Sequence, residues 1–396
     1  MKVIMSYIRS VFHGYGGAEI YMHNLAKYLV KNGIKVKVIV PAKGKEKRGR
    51  LEGVEYEFIR PQVPMDGKGL LSSFKSLLFY LLFGFELRER LENENFDIFH
   101  SFGLTSYFYL KSKDRKITVV QPFAIYGTYK PNVIKNIIRA VSIDRIVKGV
   151  LTQADAIASE GDIQTREIHE KFEIPLEKFF YLPIGIELSA VRNYILNSKL
   201  SRKNLGIDDA DVVLININRL VKNKGVNYLI DALKILNEQH SINTKLILIG
   251  AGPEEEAIMK QIKLLNLNEK VLHFKNISDK LKFQLLALAD ILVHPSLFEG
   301  SPIATLEALA AGKPVVVTNV SEIPHVVRHG VNGILVPPRD PEAIAKAVLE
   351  IYENGLIEKM GRESKKIARN YDWDIIAKMA IRKYEELMEK NNTATI

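Results

Sequence analysis

The sequence predicts an α/β protein built from two successive doubly wound parallel sheets. Three observations predict it. At 396 residues the chain exceeds what one hydrophobic core comfortably organises. Short apolar runs of strand length alternate with longer helical stretches, the grammar of parallel β–α–β units with helices on both faces. That grammar starts twice, near residue 2 and again near residue 212, each time as strand, polar loop, helix, strand. The composition agrees: 47% hydrophobic and 26% charged residues are too apolar for a disordered chain. There is no cysteine, which excludes a disulfide framework and thiolate metal sites and fits a reducing cytoplasm. The start, MKVIMSYIRS, reads as a strand and not as a signal peptide. No run reaches the ~20 apolar residues that span a bilayer.

Residues 2–7 (KVIMSY) are the first strand. The polar loop HGYGG follows, and a helix over 18–32 ends at Gly33. Gly16 and Gly17 stand directly before that helix, where backbone N–H groups and the helix dipole suit an anion. The loop lacks the GxGxxG spacing of a dinucleotide fingerprint, and it reads equally as a turn that needs positive φ. A strand at 36–40 leads into the basic loop 43–50 (KGKEKRGR). Residues 70–85 (LLSSFKSLLFYLLFGF) form a helix that is apolar all round from Leu77 onward. Such a helix is either packed on a sheet or laid in a lipid interface, and Lys75, Arg88 and Arg90 leave both readings open. FDIFH (96–100) is a buried strand ending in His100, at the carboxyl edge where open parallel sheets bind ligands; a lone histidine also commonly serves structure. Strands at 117–121 and 156–159 enclose a helical stretch over 132–152, and residues 181–187 (YLPIGIE) break the pattern. The first domain is expected to occupy residues 1–188 and the second 189–372.

The second half begins with a strand at 212–217, the loop NRLVKNKG (218–225) and a helix over 226–238. A strand at 245–249 closes on Gly250-Ala251-Gly252-Pro253, and strands at 271–274 and 291–294 continue the alternation. Arg219 and Lys224 lie between strand and helix: a guanidinium fork, an ammonium and a helix N-terminus together suit a diphosphate. The spacing matches no P-loop, so an ATPase reading fails. In HPSLFEGSPIATLEALAAGKPVVV (294–317), Ser301 is a good N-cap and Pro302 suits the first helical position. Gly312 stops the helix and 315–317 is a short buried strand. Glu307 is a carboxylate in an otherwise apolar helix, a costly placement unless something pairs with it. Glu299 sits just before the cap, so two carboxylates converge on one helix end. Two such domains in succession leave a cleft between their carboxyl edges.

Charge is unevenly placed. Residues 1–150 hold 25 Lys and Arg against 13 Asp and Glu, a net +12, while the remainder holds 31 against 33. The basic half should meet something anionic: lipid head groups, nucleic acid or an acidic substrate. No nucleic-acid signature is present, and nucleic acid is not expected.

Taken together, Gly16-Gly17, FDIFH, Asn218-Arg219-Leu220 with Lys224-Gly225, Gly250-Ala251-Gly252-Pro253 and Glu299 with Glu307 resemble the retaining GT-B glycosyltransferases of family GT4. Glu299 and Glu307 match that family's E-x7-E motif. HGVNGILVPPRDPEAIAKAV (329–348) and the Tyr371-Asp372-Trp373 start of the final helix resemble its C-terminal part. The resemblance covers nearly the full chain. It implies two Rossmann-like domains, the first completed by a returning helix over 373–391. It implies a nucleotide-diphosphate sugar as donor substrate, with no cofactor and no metal. Arg219 and Lys224 would stabilise the leaving diphosphate, and Glu307 would accept from the ribose hydroxyls. Glu299 and the backbone of Gly300, Ser301, Pro302 and Ile303 would hold the sugar, with Gly250 and Gly252 beside the nucleotide. Gly16 and Gly17 would close over the phosphates. No carboxylate is nominated for double displacement, so same-face attack is expected, with His100 touching sugar or acceptor. Three positions depart from the family pattern: Phe102 replaces a second histidine, Asn218 a glycine, and Ser301 an aromatic. The acceptor is expected to be lipid-linked or an oligosaccharide, and the protein to be cytoplasmic and peripheral on an anionic membrane surface. Two other readings share the fold, a nucleotide-sugar epimerase and a non-catalytic nucleotide-sugar-binding protein.

Overall fold

The computed structural model describes residues 1–13, 17–42, 44, 47–62, 70–122, 144–239 and 242–394, with backbone alone at 62, 70–77, 239 and 394. The chain divides into two units, one of Met1–Gly185 with Trp373–Ile396, the other of Ile186–Asp372.

The first unit is an eight-stranded sheet: β1 (Lys2–Ser6), β2 (Lys35–Ala42), β3 (Arg48–Leu51), β4 (Val54–Gln62), β5 (Ile98–Phe102), β6 (Ile117–Gln121), β7 (Ala156–Ser159) and β8 (Phe179–Tyr181). Their spatial order is β3-β4-β2-β1-β5-β6-β7-β8. All neighbours are parallel except β3 and β4, which form an antiparallel hairpin. Residues 48–50, expected in a basic loop, thus belong to an edge strand. The reason is the turn at Glu52 and Gly53, both with positive φ, the geometry that two-residue hairpins favour. Alternation of Val54, Tyr56 and Phe58, all buried, carries the partner strand.

Helices α1 (Gly17–Lys31), α2 (Leu70–Glu92), α3 (described over 144–153), α4 (Asp162–Phe172) and the C-terminal helix (Trp373–Ala394) pack on this sheet. Successive residues of β5 show that both faces are covered. Phe99 joins Phe83, Leu87 and Leu91 of α2 in one core, while His100, pointing the other way, bonds Tyr384 of the C-terminal helix. Trp373 stands edge-on to Tyr21 at 5.2 Å and fills the space beside Gly185. For α2 the packed reading holds on one face of the helix. Phe79, Phe83, Leu87 and Leu91 recur every four residues and are buried, while Leu78, Leu82 and Phe85 lie exposed on the outer side. Among the described residues, no helix is long and apolar enough to cross a membrane.

The second unit holds α5 (Leu188–Leu196), β9 (Val212–Ile217), α6 (Val226–Gln239), β10 (Thr244–Ile249), α7 (Glu255–Leu264), β11 (Val271–Phe274), α8 (Asp279–Leu288), β12 (Ile291–His294), α9 (Ile303–Ala311), β13 (Val315–Thr318), α10 (Ile323–Val326), β14 (Gly333–Val336), α11 (Pro341–Glu353) and α12 (Ile357–Ala368). Its sheet runs β11-β10-β9-β12-β13-β14 and every pair is parallel. Counted within the unit, that order is 3-2-1-4-5-6, the Rossmann order. Strands β9, β10, β12 and β13 are apolar almost throughout because helices cover both of their faces.

Candidate active site

The order of the second sheet creates one place where neighbouring strands send their connections in opposite directions. It lies between β9 and β12, at their carboxyl ends, and such switch points are where open sheets bind ligands. The β9 loop carries Arg219 and Lys224; the β12 loop carries Glu299.

Close backbone contacts hold the first of these loops. Leu220 donates its N–H to the Ala251 carbonyl at 3.0 Å, and Glu254 N–H returns to Leu220 O at 2.9 Å. Gly250 has φ of +150°, and a Cβ there would stand 1.8 Å from the Asn218 carbonyl oxygen; at Gly252 it would meet Leu220 O at 2.3 Å. Both glycines therefore seat the loop that carries Arg219. A third, Gly225 (φ +61°), lies against Pro295, whose carbonyl oxygen a Cβ would approach to 2.2 Å. With Leu297 N–H donating to Asn223 O at 2.8 Å, this zips the two loops together.

The zipped loops place Lys224 Nζ 2.5 Å from Glu299 Oε2. Arg219 is exposed, and its guanidinium pairs with no carboxylate among the described residues. Glu299 is 6% exposed, and its Oε2 also takes His294 Nε2–H at 2.7 Å and the Ser296 hydroxyl at 3.3 Å. Burial alone would raise the Glu299 pKa. The hydrogen bond and charge of His294, with those of Lys224, outweigh it and bring the value from 4.5 down to about 2. The depressed carboxyl therefore contributes stability that is fully present above pH 4.5 and is lost as pH falls through about 2. Glu299→Gln should flatten the fall of Tm across that window in pH-resolved thermal melts; an unaltered slope would contradict the pairing.

Glu307 finds its partner on the adjacent helix. Lys282 of α8 donates to Glu307 Oε1 at 2.6 Å and to Asp279 Oδ1 at 2.8 Å. Burial pulls the Lys282 ammonium down, but Glu307 and Asp279 more than offset it and hold its pKa above the ordinary value. Burial pushes the Glu307 carboxyl up against the pull of Lys282. The costly carboxylate of α9 is thus satisfied by an ion pair.

The remaining candidates are placed as follows. Helix α9 starts at Ile303, with Pro302 as its cap residue, one position later than Ser301 was expected to cap it. A tight turn, with Ile303 N–H donating to Ser301 O at 2.8 Å, delays the helix. That bond also occupies the Ile303 N–H, and Pro302 has none, so neither of these two residues offers a backbone donor to a sugar. Gly300 is exposed with open space around it. In the first unit, Gly17 is the exposed first residue of α1 and Gly16 lies outside the described residues. Strand β5 runs past His100 to Phe102, and His100 is fully buried. Its ring stacks on Phe102 at 4.6 Å and its Nδ1 bonds Tyr384 Oη at 2.6 Å. Burial, opposed only by Gln121, holds its pKa down at about 3. In this structure His100 is packed in the interior of the first unit, and its Nε2 has no hydrogen-bond partner among the described residues.

Two residues that sequence reasoning did not nominate, His294 and Lys282, hold the two key carboxylates. His294 had the same signal as His100, a histidine closing an apolar strand. Lys282 had none, since a lysine in an amphipathic helix reads as a solvated charge.

Two Rossmann-like parallel sheets, the second with Arg219, Lys224 and the buried Glu299 on the loops at its switch point, define a GT-B fold. Residues 197–370 match the model of "Glycosyl transferases group 1" and residues 15–190 that of "Glycosyltransferase Family 4". The chain belongs to the group 1, GT4-type glycosyltransferases. It is 34% identical over 190 residues to the uncharacterized glycosyltransferase MJ1607 of Methanocaldococcus jannaschii, covering 48% of each chain. It is 30% identical over 164 residues to the phosphatidyl-myo-inositol mannosyltransferase of Mycobacterium leprae, covering 41% of this chain and 43% of that one. The match spans about half the length of these relatives or less. Among solved structures, sucrose-phosphate synthase from Thermosynechococcus elongatus aligns over 98% of this chain and 99% of its own with a TM-score of 0.80 at 17% identity. Anabaena HepE in complex with UDP-glucose aligns over 98% and 100% with a TM-score of 0.72 at 19% identity.

Proposed function

We propose that this protein is a retaining, metal-independent hexosyltransferase that uses a nucleoside-diphosphate sugar and glycosylates a lipid-linked or oligosaccharide acceptor. One observation carries the reading: Lys224 pairs with Glu299 at 2.5 Å from the same loop that carries the exposed Arg219. The two cations would take the diphosphate and neutralise the charge that grows as the glycosidic bond breaks, work that a metal does elsewhere. The carboxylate beside them would accept from sugar hydroxyls, and Glu307 from the ribose. A nucleotide sugar as donor accords with HepE, solved with UDP-glucose bound. A thermal-shift screen against nucleoside diphosphates and their sugars tests it, because a ligand of the folded state raises Tm by mass action. One diphosphate and its sugar should raise Tm, and Arg219→Ala should remove most of the shift. A flat response across the panel, or a product of inverted anomeric configuration, would overturn the reading.

The lipid part rests on the outward stripe of α2, where Leu78, Leu82 and Phe85 are 45%, 52% and 52% exposed, and on the basic N-terminal half. Wild-type protein should co-sediment with phosphatidylserine vesicles at low salt, and Leu82→Asp with Phe85→Asp should not. Equal sedimentation of both would place the membrane elsewhere or nowhere.

A further inference from the structure

We infer that His294 is the positioning residue that fixes Oε2 of Glu299 and so leaves Oε1 for a hydroxyl of the donor's sugar. The inference rests on the donor reading above and adds a division of labour within it. Three donors converge on Glu299, and all three fall on the same oxygen: Lys224 at 2.5 Å, His294 at 2.7 Å and Ser296 at 3.3 Å. A carboxylate has two oxygens and about four acceptor sites, so among the described residues this arrangement leaves one oxygen uncommitted. The carboxylate's own backbone is tethered too, since Glu299 N–H donates to Ser321 Oγ at 3.3 Å.

The three donors differ in what holds them. Lys224 sits on a loop, and its ammonium is the group a diphosphate would claim. When that happens, a second negative charge arrives beside Glu299 and its strongest partner is shared or lost. His294 ends strand β12, is 2% exposed, and has no hydrogen-bond partner at Nδ1. Its bond to Glu299 is therefore, among the described residues, the one polar contact of a ring held at the end of a buried strand, and a diphosphate has no means of displacing it. A rigidly anchored Oε2 keeps Oε1 at one position, as recognition of a particular hydroxyl requires.

The consequence is a split between two ligands that share a diphosphate. UDP needs Arg219 and Lys224; UDP-glucose needs Glu299 as well. The test is calorimetric titration of wild type, His294→Phe and His294→Gln with UDP and UDP-glucose, or with the pair that the thermal screen selects. His294→Phe should weaken the sugar nucleotide by about tenfold or more, the worth of a hydrogen bond to a charged group, and leave the diphosphate within about twofold. His294→Gln, which retains an N–H near the Nε2 position, should restore most of the sugar nucleotide's affinity. Should the Phe variant fail to fold, His294→Asn, too short to reach, replaces it with the same expectation. Equal weakening of both ligands, or of neither, overturns the role of His294 while the donor reading stands. A wild-type protein that binds no pair of the panel overturns the donor reading and this inference together.

Discussion

Replacing Lys224 with Ala is expected to lower kcat/KM by roughly 100- to 1,000-fold, the typical loss when one preorganised donor to a developing anion is removed. The structure separates this from unfolding. Without Lys224, Glu299 still holds His294 Nε2 and the Ser296 hydroxyl, so the buried carboxylate is not left without donors. The loss should fall chiefly on kcat, because charge on the diphosphate grows in the transition state. Lys224→Arg should recover only part of the rate: the planar fork cannot reproduce a point charge held at 2.5 Å. Steady-state kinetics decide the matter, and an unchanged kcat/KM in Lys224→Ala would sink the mechanism.

The second large effect is expected at Glu307. Glu307→Leu removes the buried carboxylate of a part-buried ion pair and leaves the Lys282 ammonium, among the described residues, facing only Asp279, which should cost about 3 kcal/mol of stability. It should also abolish measurable donor affinity if this carboxylate holds the ribose. Adding Lys282→Met separates the two roles. The double variant should regain most of the lost stability, since apolar replacement of both partners is tolerated far better than removal of one, yet it should still bind donor poorly. Denaturant midpoints and calorimetry on the four proteins of this cycle provide the check. Recovery of donor binding in the double variant would assign Glu307 to structure alone.

How far the site could be read in one dimension varies from residue to residue. Arg219, Lys224 and Glu299 were legible because each follows an apolar strand and precedes a helix, and the carboxyl edge of a parallel sheet is where such loops gather. Their partners were not. Lys282 lies in a helix whose charged residues alternate with apolar ones, so nothing in its spacing marks it as the partner of a buried carboxylate. His294 was visible as the end of β12, but its ring matters only because Glu299, five residues on, turns back to it. His100 shows the same limit in reverse. Its position in the strand was legible, but its burial depends on Tyr384, which is 284 residues away in the chain. The hairpin of β3 and β4 went unread because RGRL (48–51) carries charge where a central strand would be apolar. As an edge strand it has one face and one side open to water.

The chain's own order of residues determined the class of fold, two sets of parallel strands with helices between them. Continuous apolar runs such as VVLINI (212–217) and VVVT (315–318) fit no other environment than a sheet covered on both faces. It also determined which loops carry the candidate site residues. Tertiary structure alone decided which of those loops meet. Lys224 and Glu299 are 75 residues apart and touch because β9 takes β12 as its neighbour. Glycines at 225 and 250 then let backbones approach closer than any side chain would allow. Ion pairing follows from that approach, since a carboxylate buried without its ammonium and imidazole would not stay charged.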